Sequence, residues 1–270
     1  MEQHTIGFIG CGNMAQAMIR GMVFNHAASP ESVIVSDADS AKAHGFAKSL
    51  GIRAAGSNSD VAKESDILFL AVKPQIYPAV IEEIRNDVMP SAVIVTIAAG
   101  QSIDVTEQRF GRPIKLIRAM PNTPAMVGEG VLAACRGEHV TDEEWGFGMK
   151  LLSCMGMAEE MPERLMDAVT GLSGSSPAFV FLFLEALADA GVRGGLPRVT
   201  AQRFAAQTVL GSAKLALETG KHPGELKDMV TSPAGTTIEG VAALEKNAFR
   251  SAVMEAVEAA IQKSKSFHQK

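Results

Sequence analysis

Cysteine, tryptophan and tyrosine are scarce in this chain, at three, one and one among 270 residues. Cys11, Cys135 and Cys154 are far apart and odd in number. They make no disulfide framework and no thiolate cluster, which points to a reducing compartment. The six histidines (4, 26, 44, 139, 222 and 268) are scattered, and no HxxxH or CxxC spacing occurs, so no metal site is expected. Blocks of lysine and arginine are lacking too, and the net charge is −5. That balance recommends neither nucleic acid nor a membrane surface as a partner. The opening MEQHTIGFIG lacks the basic and apolar regions of a signal peptide, so a cytoplasmic location is expected. The longest apolar burst, Ala178 to Leu184, stops at Glu185. A membrane span needs about 20 apolar residues, and the burst reads instead as a buried helix.

What is present suits a globular protein of one large or two ordinary domains, with 47% hydrophobic and 20% charged residues. The first part alternates short β-branched runs (TIGFI, VIVS, ILFLAV, AVIVTIA, KLIR) with helical stretches at 13–23, 40–50, 75–88 and 102–110. Asp39 and Gly51 are placed to cap the second helix at its two ends. Two weaker strands, VLAAC and MAEEM, flank a helix that opens with capping-box spacing at Thr141 and Glu144. This pattern predicts an α/β fold with a doubly wound, mostly parallel sheet covered on both faces. After Pro162 only helices are expected, over 163–169, 177–191, 197–218, 223–230, 237–246 and 249–266. The expected domains are therefore 1–161, binding a dinucleotide, and 162–270, all helical. So small a helical domain has little interior for the apolar burst, and a partner subunit could cover it.

Directly after the first strand stands G-C-G-N-M-A, Gly10 to Ala15. In the G-x-G-x-x-A pattern of a Rossmann-type turn, the first glycine permits the turn and the second admits a pyrophosphate. The small third residue lets helix and strand pack closely. Asp37, at the end of the second strand, can accept a ribose 2′-OH and would repel a 2′-phosphate, which favours NADH over NADPH. Asp37 or Asp39 acting only as a helix cap is the other reading. The turns after the next two strands, Ala71-Val72-Lys73-Pro74 and Ala98-Ala99-Gly100, should flank the nicotinamide half, with Met120 to Ala125 closing the same crevice. Lys73 reads equally as a ribose or phosphate contact and as a solvated lysine. Cys11 reads as a reactive thiol or as a merely small residue.

The helical half offers hydroxyls rather than an acid/base lysine or histidine. Thr231, Ser232, Thr236 and Thr237 crowd the stretch TSPAGTT at a helix start. The stretch reads either as a capped turn or as a cup of free N–H groups and hydroxyls for a small carboxylate or phosphate. Ketone reduction must handle a developing alkoxide. Reduction of a protonated imine gives a neutral amine, which suits hydroxyls better.

GFIGCGNMA, FLAVKPQ, RAMPNTPA, TGLSGSSPAF, EALADAGV, GLPR and HPGELKDMVTSPAGTTIEGVAALE together resemble the pyrroline-5-carboxylate reductases over nearly the whole chain. The resemblance implies reduction of 1-pyrroline-5-carboxylate to L-proline by NADH or NADPH, the last step of proline biosynthesis. It implies a carboxylate cup of Ser232, Gly235, Thr236 and Thr237, with Thr237 hydrogen-bonding the ring nitrogen. It maps cofactor contacts to Ile9, Gly10, Cys11, Gly12, Asn13, Met14, Ser36, Asp37, Asn58, Ala71, Val72, Lys73, Pro74 and Ala98. It also implies a homodimer through the helical domain, which often builds decamers. Two departures stand out. Ala234 replaces a glycine of the family's SPGGTT, and Ser176 replaces a glycine of SGSGPA. Two other readings stay open: a 3-hydroxyacid dehydrogenase, which would need a lysine on the helix after GLSGS, and a non-catalytic dinucleotide-sensing dimer.

Overall fold

A computed structural model describes residues 4–267; His268 lies outside the described residues. The chain forms two units. One holds the residues up to Ser175 together with those from Ala260 onward, and the other is Ser176–Ala259.

In the first unit, strands β1 (Ile6–Ile9), β2 (Val33–Ser36), β3 (Arg53–Ala54), β4 (Ile67–Leu70), β5 (Val93–Thr96), β6 (Lys115–Met120), β7 (Gly130–Arg136) and β8 (Gly156–Glu160) make one sheet. Their order is β3-β2-β1-β4-β5-β6-β7-β8. All pairs are parallel except β6 with β7. Every residue of β1, β2, β4 and β5 is buried. A strand is buried throughout only when the sheet is covered on both faces. Alternation divides the side chains accordingly. Phe8, Val35, Phe69 and Val95 meet helices α1 (Asn13–Phe24), α2 (Ser40–Leu50) and α6 (Asp142–Leu152). Ile9, Ile34, Leu68 and Ile94 meet α3 (Asn58–Glu64), α4 (Tyr77–Ile84) and α5 (Ile103–Phe110). Phe8 and Phe69 stack across β1 and β4 with ring centroids 4.5 Å apart.

The caps follow local chemistry. The Asp39 carboxylate accepts the Lys42 N–H, and Gly51 closes α2 in the left-handed region at φ 71°. Thr141 and Glu144 form the expected capping box. Burial alone would raise the Glu144 carboxyl, but hydrogen bonds from Lys115 and the Thr141 N–H outweigh it and hold it below the usual glutamate range. The helix expected over 75–88 shortens to Tyr77–Ile84, because Pro78 is tolerated only in a first turn. Two short elements, β3 and α3, are additions to the expected set; α3 carries a recognisable Ser57 cap that accepts the Asp60 N–H.

Registers fix a working edge. Ile9, Ser36, Leu70 and Thr96 lie level at the carboxyl ends of their strands. Arg118 is level with Thr96, so β6 continues two residues past them to Met120.

Beyond β8, α7 (Met166–Val169) leads into a π-helical turn, Thr170–Ser175. The second unit then runs through α8 (Ser176–Arg193), α9 (Arg198–Thr219), α10 (Pro223–Met229), α11 (Thr236–Lys246) and most of α12 (Phe249–Lys265). Small residues let α8 and α9 approach closely. A Cβ on Gly191 would lie 3.2 Å from that of Ala201, and Ala188, Ala201 and Ala205 are buried there. The apolar burst is not buried within the single chain, as the small interior of the helical domain implies. Phe181 and Leu182 are 62% and 68% exposed. The few helices around it cannot enclose a helix that is apolar all round.

The departure at Ala234 has a backbone cost. Ala234 sits at φ 52°, in the left-handed region, where a Cβ costs roughly 1–2 kcal/mol and glycine almost nothing. Ala234→Gly should therefore raise stability by about 0.5–1 kcal/mol after glycine's larger unfolded-state entropy is subtracted. Thermal unfolding checks this: a higher midpoint is expected, and an unchanged or lower one contradicts it.

Candidate active site

At the carboxyl edge of β1 the chain turns through Gly10 at φ 99°. A Cβ there would lie 2.7 Å from the Ala71 carbonyl oxygen, so only glycine fits. Two residues on, Gly12 faces open space, with no atom within 4 Å of its Cβ position. Gly12 is the N-cap of α1 and makes no side-chain cap bond. The third small residue, Ala15, is fully buried. A bare backbone at a helix N-terminus is what a pyrophosphate requires, so these residues fit a dinucleotide.

Asp37 is turned toward this loop. One carboxylate oxygen accepts the Cys11 N–H at 2.6 Å, and the other accepts the Asp39 N–H at 2.9 Å. Lys42 Nζ lies 3.8 Å from Asp37 Oδ2. Asp37 therefore fixes the glycine loop, and the four lone-pair sites of a carboxylate leave room for a hydroxyl. Ser36 donates to Asn58 Oδ1 at 2.8 Å, and Asn58 Nδ2 donates to Glu83 at 2.9 Å, which ties the ends of β2 and α4 to α3. Cys11 is buried, and burial pushes its thiol above the usual range. Such burial suits a small residue better than a reactive thiolate. Lys73 is exposed and makes no ion pair among the described residues.

Ile9, Gly10, Cys11, Gly12, Asn13, Met14, Ser36, Asp37, Ala71, Val72, Lys73, Pro74 and Ala98 all lie at or just beyond the carboxyl ends of β1, β2, β4 and β5, or open α1, and Asn58 opens α3 after β3. The sheet unit adds parts that sequence reasoning missed. Buried Arg118 pairs with Glu163 at 2.9 Å, and Glu163 also accepts the Ile103 N–H at 2.8 Å, joining α5 to the segment before α7. Buried Ser264 donates to Asp167 at 2.6 Å. Phe267 rests on the turn after β5, where a Cβ on Gly100 would lie 2.8 Å from its own Cβ. No local signal marks these long-range partners in the sequence.

Ser232, Gly235, Thr236 and Thr237 lie in the helical unit. The N-cap of α11 is Gly235, and no side chain caps it. The first-turn N–H groups of an eleven-residue helix thus face outward beside the hydroxyls of Thr236 and Thr237. Ser232 overhangs the same mouth, since a Cβ on Gly235 would lie 2.3 Å from Ser232 Oγ, and the Gly235 N–H donates to the Ser232 carbonyl at 3.1 Å. Thr231 instead donates back to the carbonyls of Lys227 and Asp228. Of the four hydroxyls, one is spent locally and none caps α11. α8 carries no lysine or histidine, so the acid/base group of a hydroxyacid dehydrogenase is missing from it.

Comparison with known proteins matches the chain to two family models. The family described as pyrroline-5-carboxylate reductase dimerisation matches residues 163–267, and the one described as NADP oxidoreductase coenzyme F420-dependent matches residues 5–100. A pyrroline-5-carboxylate reductase of Escherichia coli is 46% identical over 97% of both chains. That of Methanosarcina acetivorans is 44% identical over the full length of both. The crystal structure of Plasmodium falciparum pyrroline carboxylate reductase with NADP bound superposes with a TM-score of 0.90 at 34% identity, covering 99% of each chain. With both halves matched and identity sustained end to end, the chain belongs to the pyrroline-5-carboxylate reductase family of oxidoreductases.

Proposed function

We propose that the chain reduces 1-pyrroline-5-carboxylate to L-proline, the last step of proline biosynthesis. The observation that carries this reading is the uncapped N-terminus of α11, with Gly235 at its cap and two threonines in its first turn. Outward N–H groups and the positive end of the helix dipole suit the substrate carboxylate. Ser232 and Thr236 complete the cup, and Thr237 is assigned the hydrogen bond to the ring nitrogen. Bound reduced nicotinamide supplies the hydride, which goes to the imine carbon. The C=N π pair passes to nitrogen, and the protonated imine becomes a neutral amine. No oxyanion forms, so hydroxyl groups suffice where a ketone reductase needs a stronger acid.

The cofactor is NADH or NADPH, with NADH favoured. Support comes from the Asp37 carboxylate at the end of β2, where a 2′-phosphate would meet a like charge. Lys42 at 3.8 Å moderates that repulsion, which fits use of both cofactors.

The exposed apolar face of the helical unit suits a second copy of the chain, as does the dimerisation family matched over 163–267. By length and composition, residues 163–193 form a helix that could cross a membrane. Glu185 and Asp189 on that helix favour a protein partner over lipid. Assembly of the dimer into a decamer, and a cytoplasmic location, belong to the same proposal.

Two substitutions test it. Thr237→Ala should lower kcat by about 100-fold, the scale of losing one positioned hydrogen-bond donor, and leave the cofactor Kd within about twofold. Undiminished turnover would remove Thr237 from the reaction. Asp37→Ser should weaken both cofactors by freeing the Cys11 N–H, while moving the NADPH-to-NADH ratio of kcat/KM upward by about tenfold. An unchanged ratio would show that Asp37 only holds the loop.

A further inference from the structure

The sequence TGLSGSSP contains a conflict. The helix that begins at α7 continues without a break through the π-helical turn into α8, yet Pro177 is the second residue of α8. Proline has no N–H to give. In α-helical register, the carbonyl of Ser173 would accept from the N–H of residue 177. That donor does not exist, and a carbonyl left unpaired away from water is costly.

The missing bond is replaced from outside the helix. Asn122 Nδ2 donates to the Ser173 carbonyl at 3.1 Å. Asn122 is itself 7% exposed. Its orientation is fixed from the other end, because its Oδ1 accepts the Val131 N–H at 2.9 Å. The side-chain amide donates from its nitrogen and accepts at its oxygen, so one residue serves both partners. Packing agrees: the π turn lies close against the end of β6, where a Cβ on Gly174 would come 2.8 Å from Met120 Cε and displace that methyl. Met120 and Asn122 stand just past the carboxyl edge of the sheet, on the side of Gly10 and Ala98.

π turns store an irregular backbone and concentrate at functional sites. This one is clamped to the edge at which the cofactor is assigned. We propose that Asn122 is a positioning residue for the reduction, supplying the hydrogen bond that Pro177 cannot give and so holding the π turn Thr170–Ser175 against the carboxyl edge of the sheet. The proposal rests on the imine-reductase reading for its kinetic consequence and on the backbone geometry alone for its structural one.

The test uses Asn122→Ala, Pro177→Ala and the double variant of the full-length protein. Two readouts are followed: amide hydrogen exchange across 170–178 without ligand, and steady-state kinetics together with cofactor Kd from nicotinamide fluorescence. Asn122→Ala should speed exchange in 170–178 and lower kcat by about tenfold or more, with the cofactor Kd changed by less than about twofold. In the double variant, the alanine placed at position 177 contributes an N–H, so exchange should slow again and kcat should recover at least in part. A plain packing defect would not be repaired by a change at residue 177. Asn122→Asp keeps the shape and removes the donor, so it should resemble Asn122→Ala even if the alanine variant folds poorly. Unaltered exchange and turnover in Asn122→Asp, or losses that Pro177→Ala does not reduce, would overturn the proposal. Should the unmodified protein prove not to reduce the imine, the exchange measurement still decides whether Asn122 holds the turn.

Discussion

One close approach governs the sheet unit: the backbone of Gly10 against the Ala71 carbonyl. It brings the end of β1 against the end of β4 with no side chain between them, and it needs the left-handed φ that glycine alone takes without cost. From that contact the chain can turn into α1 with Gly12 bare and Ala15 packed beneath. The level ends of β2, β4 and β5 then supply Asp37, the 71–74 turn and Ala98 around the same edge, and Ser36 at the end of β2 holds Asn58 beside them. The Asp37 carboxylate, holding the Cys11 N–H, locks the loop in place. A single steric permission thus organises the whole cofactor side.

The helical unit repeats this arrangement in a form that suits a smaller anion. α1 and α11 both begin at a glycine that makes no side-chain cap bond. Most helices spend a Ser, Thr, Asp or Asn there, as α2, α3, α5 and α6 do in this chain. A glycine at each of these two starts forgoes only a few tenths of a kcal/mol relative to a capping side chain. The two lie in the glycine loop and in TSPAGTT, the stretches to which a pyrophosphate and a carboxylate are assigned. Of the four hydroxyls in TSPAGTT, none caps α11.

Much of this is legible in the sequence, because period-2 and period-3.6 patterns are strong in long, doubly covered elements. β1, β2, β4, β5 and α2 lie close to where their patterns place them, and the Asp39 and Thr141 caps act as their spacing implies. What escapes is short or long-range. β3 has two residues and α3 seven, too few for a periodic signal. The π turn is hidden because Gly and Ser read as a loop, and its partner Asn122 lies more than fifty residues upstream of Ser173. The apolar burst in α8 reads correctly as helix, and its exposure in the single chain follows from a surrounding unit too small to enclose it. Asp37 reads as a ribose ligand, and its grip on the glycine loop depends on a fold that brings residues 11 and 37 together.

The most direct test of the account follows nicotinamide absorbance with 1-pyrroline-5-carboxylate, with NADH and NADPH run side by side. The account expects substrate-dependent oxidation of both, faster with NADH, and L-proline as the product. Folded protein that oxidises neither cofactor in the presence of this imine would contradict it and leave the α11 cup to another acid.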